Sequence, residues 1–301
     1  MPQSVSCDLL LYADDSCLVF TDKNFDSIEN KLNENFNSIC DWFVDNKLSI
    51  HFGEDKTKSI LFGTKRKLKG LRELDIRHGD VKIKQHPQVT YLGCVLDNSL
   101  TGELMALQAL TKINAKLKFL YRKRSFLSTS LRRLLCNALI QPHFDFACLA
   151  WYPCLNKKFK KKVQVAQNRC IRFCLDLGNR AHIGMKEFKI INWLPTKERF
   201  EQCASVGIFK FFAGDAPAYI SEMYFPLEQS QCIRRSLNKL WIPNQRTDRG
   251  LKILSYVGPR LWNSLPNCLK SAKSVNNFKH ELKDLFFNTL KKKEENPYFY
   301  Y

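Results

Sequence analysis

The sequence predicts an α+β protein, and three observations carry that prediction. Short apolar runs rich in β-formers fill the first hundred residues, one amphipathic helix interrupts them, and helical periodicity takes over from about Thr101. Residues 9–12 and 16–20 flank Ala13-Asp14-Asp15, the pattern of a hairpin with a tight acidic tip. Ile28, Leu32, Phe36, Ile39 and Phe43 then recur at helical steps, forming an apolar face expected to pack on the hairpin's sheet. The runs SILF (59–62), VKIK (81–84) and VTYLGCVLD (89–97) supply further strands, and the turn-prone QHPQ separates the last two.

Beyond Thr101, Leu110, Ile113, Leu117 and Leu120 make the apolar stripe of a first helix, with Lys112, Lys116 and Lys123 off that stripe. A second helix is expected over residues 130–140. A third runs from the basic KKFKKK (157–162) through Leu175. Pro195, Gly214, Pro217 and Pro226 divide the next part of the chain into shorter pieces, and YVGPRLWNSLP (256–266) reads as a rigid aromatic loop. A last helix starts near Val275, with Phe278, Leu282, Leu285 and Phe286 on one face. No internal repeat is present. The pattern divides the chain into residues 1–100, a basic helical segment 101–190 and a C-terminal helical region 191–301.

At 301 residues, 45% of them hydrophobic, the chain can bury one large core or two modest ones. Its formal net charge of +19 is unevenly spread. The first 60 residues hold five Lys, no Arg and eleven Asp/Glu, a net of −6, so the remainder carries +25. An acidic head and a basic body suit a protein that handles a polyanion and holds cations at one end. Twelve cysteines without a tight framework read as reduced thiols. The start MPQSVSCDLL carries no secretion or import signal, and the apolar stretch CNALIQPHFDFACLAWYPCL is broken by polar residues and prolines. An intracellular protein, nuclear or cytoplasmic and without a membrane span, is the expectation.

Asp14 and Asp15 sit in the middle of the apolar run LLLYADDSCLVF. An unpaired buried charge costs several kcal/mol, comparable to a domain's whole stability margin, so the pair needs a solvated turn or a cation. The residues alone leave both open. The flanking context adds to them: Tyr-Ala-Asp-Asp between two apolar strands resembles the catalytic hairpin of reverse transcriptases. WFVDNKLSIHFGEDKTKSILF (42–62) is similar to the segment that comes after that hairpin, and YLGCVLD (91–97) resembles the primer-grip hairpin of the non-LTR, or LINE-type, subclass. QPHFDFACLAWYP, QNRCIRFCLDL and YVGPRLWNSLP resemble stretches downstream of the polymerase core in jockey-like and CR1-like elements.

The resemblance implies the rear half of a polymerase palm, a small antiparallel sheet plus helix, followed by a mainly helical thumb and a C-terminal region. It implies RNA-directed DNA synthesis with two Mg²⁺ ions about 3.5–4 Å apart, hard cations that prefer carboxylate oxygens. Asp14 would be the main ligand and Asp15 an assisting one. Tyr12 and Ala13 would shape the strand beneath the primer terminus, Lys56 would protonate the departing pyrophosphate, and Tyr91, Leu92 and Gly93 would form the primer grip. Lys112, Lys116, Lys123, Lys160, Lys161 and Lys162 would contact nucleic acid, with an RNA template, a DNA primer or an RNA–DNA duplex as partners. Zinc is not expected, since Cys170 and Cys174 lie on an apolar helical stretch with only His182 nearby. Trp151, Trp193, Trp241 and Trp262 are expected to pack beneath loops.

One departure stands out. The family holds its metals with a third aspartate on a strand upstream of the hairpin, and only thirteen residues precede Asp14. The chain is therefore expected to be the C-terminal part of such an enzyme, inactive by itself, with a non-catalytic nucleic-acid-binding remnant or co-opted protein as the alternative.

Overall fold

A computed structural model describes residues 5–53, 56–226 and 239–295 and divides the chain into two compact units, Met1–Leu100 and Thr101–Tyr301. The first unit runs β1 (Asp8–Tyr12), β2 (Asp15–Val19), α1 (Phe25–Asp45), α2 (Lys65–Leu68), β3 (Ile76–His78), β4 (Val81–Ile83), β5 (Gln88–Tyr91) and β6 (Cys94–Asp97). The six strands form three separate antiparallel hairpins, β1–β2, β3–β4 and β5–β6. The α+β class is as the sequence predicts.

Helix α1 begins where Asn24 accepts a hydrogen bond from the Asp26 amide at 2.9 Å, a side-chain N-cap. Its stripe does not take the β1–β2 hairpin as its main partner, contrary to expectation. Phe25, Ile28, Leu32 and Phe36 instead pack on the buried cluster Leu74, Ile76 and Ile83 around β3–β4. A polar row at i, i+4 spacing explains the choice. Glu29 accepts from the Asp75 amide at 2.6 Å, Asn33 bridges the Asp75 carbonyl and Arg77 amide at 2.8 Å each, and the Asn37 amide oxygen lies 2.7 Å from His78 Nδ1. These side chains satisfy backbone groups along β3 that would otherwise be orphaned at an edge.

Two further strand expectations change. SILF forms no strand: Ser59 makes only a bridge to Gln85, and Leu61 joins the core around Leu74. VKIK pairs not across QHPQ but back onto Ile76–His78 through the two-residue turn Gly79-Asp80, with Gly79 at φ +55°. A glycine first in such a turn adopts the left-handed conformation without strain. The stretch VTYLGCVLD is accordingly a hairpin by itself, turning at Leu92 and Gly93, both at positive φ (+47° and +77°).

The second unit is helical: α3 (Glu103–Arg122), α4 (Thr129–Leu139), α5 (Gln141–Asp145), α6 (Cys148–Trp151), α7 (Lys157–Cys174), α8 (Met185–Ile191), α9 (Thr196–Phe212), α10 (Ala218–Ser221), α11 (Leu254–Ser264), α12 (Asn267–Lys270) and α13 (Val275–Glu295). Leu110, Ile113, Leu117 and Leu120 are buried on α3, which packs on α7, as α4 does. Ser128 and Asn156 cap α4 and α7 through the amides of Leu131 and Phe159. Helices α7, α8 and α9 pack on one another or on α13, so elements on both sides of residue 190 share one body.

The expected aromatic loop is instead helix α11, with Pro259 inside it. An interior proline costs about 3 kcal/mol, and burial offsets it. Trp262 is fully buried, 5.1 Å from the Phe212 ring and 5.9 Å from that of Phe278. Trp151 and Trp193 are also buried, whereas Trp241 is 48% exposed and meets Phe225 edge-on, so it does not pack beneath a loop. The eleven described cysteines, Cys170 and Cys174 in the core among them, are all free.

Candidate catalytic hairpin and basic helical surface

Tyr12 pairs with Asp15, which leaves a two-residue turn of Ala13 and Asp14. The tip is thus one residue shorter than the sequence suggested, and Asp15 opens β2. Ala13 takes a left-handed φ of +51°, uncommon for a residue with a Cβ. Three consecutive leucines leave no polar face to the strand. Leu10, Leu11 and Tyr12 are 49%, 53% and 65% exposed, and both carboxylates stand in solvent. The hairpin's root is held by the buried Asn35 of α1, whose Oδ1 accepts from the Ser6 and Cys7 amides at 2.6 and 3.3 Å.

The second hairpin singled out from the sequence feels the charge of the first. Tyr91, the last residue of β5, has its phenol pKa raised by partial burial and then by the negative charge of Cys17 and Asp15, which places it within electrostatic reach of β2. Leu92 and Gly93 form the adjoining turn, Leu92 well exposed. Lys56 lies in an exposed turn, its amide donating to the Gly53 carbonyl at 2.8 Å, and among the described residues no ion pair holds its ammonium. Nothing in this arrangement ties Lys56 to the hairpin tip.

Asp14 and Asp15 offer the hard oxygen donors that Mg²⁺ requires, and as an adjacent pair they could supply part of its shell, leaving room for water or phosphate oxygens. They do not make a full two-metal set. Among the described residues no group of three or more His, Cys, Asp or Glu side chains could hold a metal ion. Asp8 pairs with Val19 at the far end of the hairpin, roughly 15 Å of strand away from the tip, and cannot join them.

The basic candidates divide by what each ammonium does. Lys112, Lys123, Lys161 and Lys162 are exposed, Lys162 lying 4.6 Å from the Phe159 ring centroid. Lys116 is turned inward to the Leu139 carbonyl at 3.1 Å, capping the end of α4. Lys160 is half-buried with its ammonium over the Tyr152 ring, and burial followed by Lys252 lowers its pKa.

Lys252 and Lys197 therefore join the basic end of α7 from distant segments, a clustering that no local pattern announces. Phe119 and Phe126, 58% and 81% exposed beside Lys118, Arg122 and Lys123, were also missed. Phe119 was legible, because it falls off the 110–113–117–120 stripe.

Searches of protein-family models, of curated proteins and of solved structures return no match to this chain. Among the described residues no helix is long and apolar enough to cross a membrane.

Proposed function

We propose that this chain carries the catalytic hairpin and the nucleic-acid-gripping helices of a non-LTR retrotransposon reverse transcriptase. The observation that carries the reading is the two-residue tip that holds Asp14 and Asp15 in solvent. Bound Mg²⁺ would supply Lewis-acid activation of a primer hydroxyl and charge neutralisation at the departing pyrophosphate. Asp14, projecting from the turn, would hold the ion, and Asp15, fixed by its strand pairing with Tyr12, would orient it. Tyr12 presents an exposed ring beside the carboxylates on which a terminal base pair could rest. The bridging carboxylate of a full two-metal site would come from residues outside this sequence.

Exposed Lys112, Lys123, Lys161 and Lys162 would meet phosphates, because each phosphate neutralised by an ammonium group releases a counterion condensed on the nucleic acid. A second reading, a nucleic-acid-binding protein without chemistry, is favoured by the same shortage of a third ligand.

Duplex binding tests the common part. Four to six phosphate contacts give a log–log salt slope of roughly −4 to −5. The triple variant Lys158→Glu, Lys161→Glu, Lys162→Glu should flatten it, Lys160 being left intact because its ammonium sits over the Tyr152 ring. Affinity independent of salt, or absent in dilute salt, contradicts the proposal.

A further inference from the structure

Helix α3 buries one face and leaves the other to cations and an aromatic ring. Lys112, Ala115, Phe119 and Lys123 recur at steps of three and four, with Arg122 beside them, opposite the buried Leu110, Ile113, Leu117 and Leu120. All five are exposed, Phe119 by 58%. Tyr121, on the other side of the helix, packs on the Phe173 ring at 5.0 Å. A 3₁₀ turn then carries Phe126, 81% exposed, its amide donating to the Lys123 carbonyl at 3.0 Å. Seven residues of helical rise separate the two phenyl rings by roughly 10–12 Å. From residue 104 to residue 144 the chain holds eight Lys and Arg and no Asp or Glu. Asp176 reaches this segment from the end of α7, and it pairs with Arg124 and Arg132, leaving the α3 cations exposed.

The turn that presents Phe126 is braced by a buried charge. Arg132 of α4, 7% exposed, donates from Nη2 to the Arg124 carbonyl at 3.0 Å and from Nε to the Leu127 carbonyl at 2.9 Å, while Asp176 balances it at 2.7 Å. These bonds fix the backbone on both sides of an exposed ring before any ligand arrives, which lowers the ordering cost of binding. A single exposed phenylalanine needs no explanation. Two of them on one basic surface without acids fit a ligand that offers flat apolar faces and spaced anions.

We propose, building on the nucleic-acid reading above, that this surface takes a single strand. Phe119 and Phe126 stack on unpaired bases, and Lys112, Arg122 and Lys123 meet the phosphates beside them. A duplex hides its base faces in its own stack, so the two rings select against it, whereas single-stranded DNA and RNA both offer those faces. The basic start of α7 differs. There Phe159 is half-buried with the Lys162 ammonium over its ring, which leaves a surface suited to phosphates alone.

The test uses the full chain and four labelled probes read by fluorescence anisotropy: oligo(dT), oligo(U), an abasic strand of equal length and a duplex. Phe119→Leu and Phe126→Leu, both at exposed positions, should each weaken oligo(dT) and oligo(U) about tenfold and leave the abasic strand and the duplex unchanged. Three phosphate contacts give a single-strand salt slope of about −2. Oligo(dT) carrying iodouracil should crosslink under ultraviolet light to Phe119 or Phe126 of the wild-type chain, a readout that needs no variant. Losses in both arms assign the site to bases in general, and a loss in one arm assigns it to DNA or to RNA. Single-strand affinity that survives the double variant, beside duplex binding that stays salt-dependent, overturns the single-strand site alone. A wild-type chain that binds neither strand nor duplex overturns the nucleic-acid reading with it. A double variant that leaves phosphatidylserine vesicles but keeps its grip on oligo(dT) and oligo(U) would assign the face to a membrane and overturn the proposal.

Discussion

The phenol of Tyr91 stands in the field of Asp15, so the last residue of one hairpin reports the charge state of another. Burial raises the Tyr91 pKa first, with Cys17 and then Asp15 adding to it. Replacing Asp15 by Asn removes one of the negative charges that disfavour the phenolate. The Tyr91 titration should therefore move to lower pH, followed through its ring carbon resonance. An unchanged midpoint would show that the hairpins do not approach in solution.

Asn35 is 3% exposed and accepts from two backbone amides at once. Asn35→Ala leaves both amides without their partner, at a cost of about 1–3 kcal/mol. Urea unfolding should show the loss, and the Ser6 and Cys7 amides should exchange with deuterium faster than those of α1.

Ala13 occupies a left-handed position that glycine adopts freely. Ala13→Gly should stabilise the tip by about 0.5–1 kcal/mol and Ala13→Val should weaken it by more, because a β-branched residue is the worst fit there. Hairpin protection by hydrogen exchange should rise in the first variant and fall in the second.

His143 has its pKa lowered by burial and by Lys116 and Lys112, and its Nε2 is buried without a hydrogen-bond partner. The folded state therefore takes up its proton at lower pH than the unfolded chain does. Stability from this residue is complete above the ordinary histidine value of about 6.5 and is lost as pH falls through the folded value. Thermal melts between pH 7.5 and 5 should fall more steeply for the wild type than for His143→Gln. Parallel curves would remove His143 from the acid response.

Metal binding at the hairpin tip, read beside primer extension on an RNA template, separates the two functional readings. A metal ligand acting chiefly in the transition state is worth several tenfold steps of ~1.4 kcal/mol each. The 301-residue chain, with two carboxylates at the tip, should give no detectable product with Mg²⁺. Asp14 and Asp15 should still broaden the amide signals of the tip when Mn²⁺ is added, and Asp14→Asn should abolish that broadening. Robust extension that survives Asp14→Ala would end the assignment of Asp14 as a metal ligand.

Periodicity and turn chemistry made most secondary structure legible. The stripe of α1, the buried face of α3 and the acidic hairpin are local patterns, set by residues a few positions apart. The same logic failed where a long-range contact outweighed a local cost. Pro259 argued against a helix, but a fully buried Trp262 between Phe212 and Phe278 overrode it. The apolar face of α1 gave no clue to its partner. Glu29, Asn33 and Asn37 chose β3 because they answer its unpaired backbone groups, and that match exists only once the chain has folded.

The candidate sites divide the same way. Sequence alone determined the acidic dipeptide, its place in a hairpin and the basic helices, because these depend on residue type and spacing. Tertiary structure decided which charges are free to act. It turned Lys116 to a helix end and laid Lys160 on Tyr152 beside Lys252 and Lys197. A side chain's chemistry belongs to its residue type, but its availability depends on neighbours brought from distant parts of the chain.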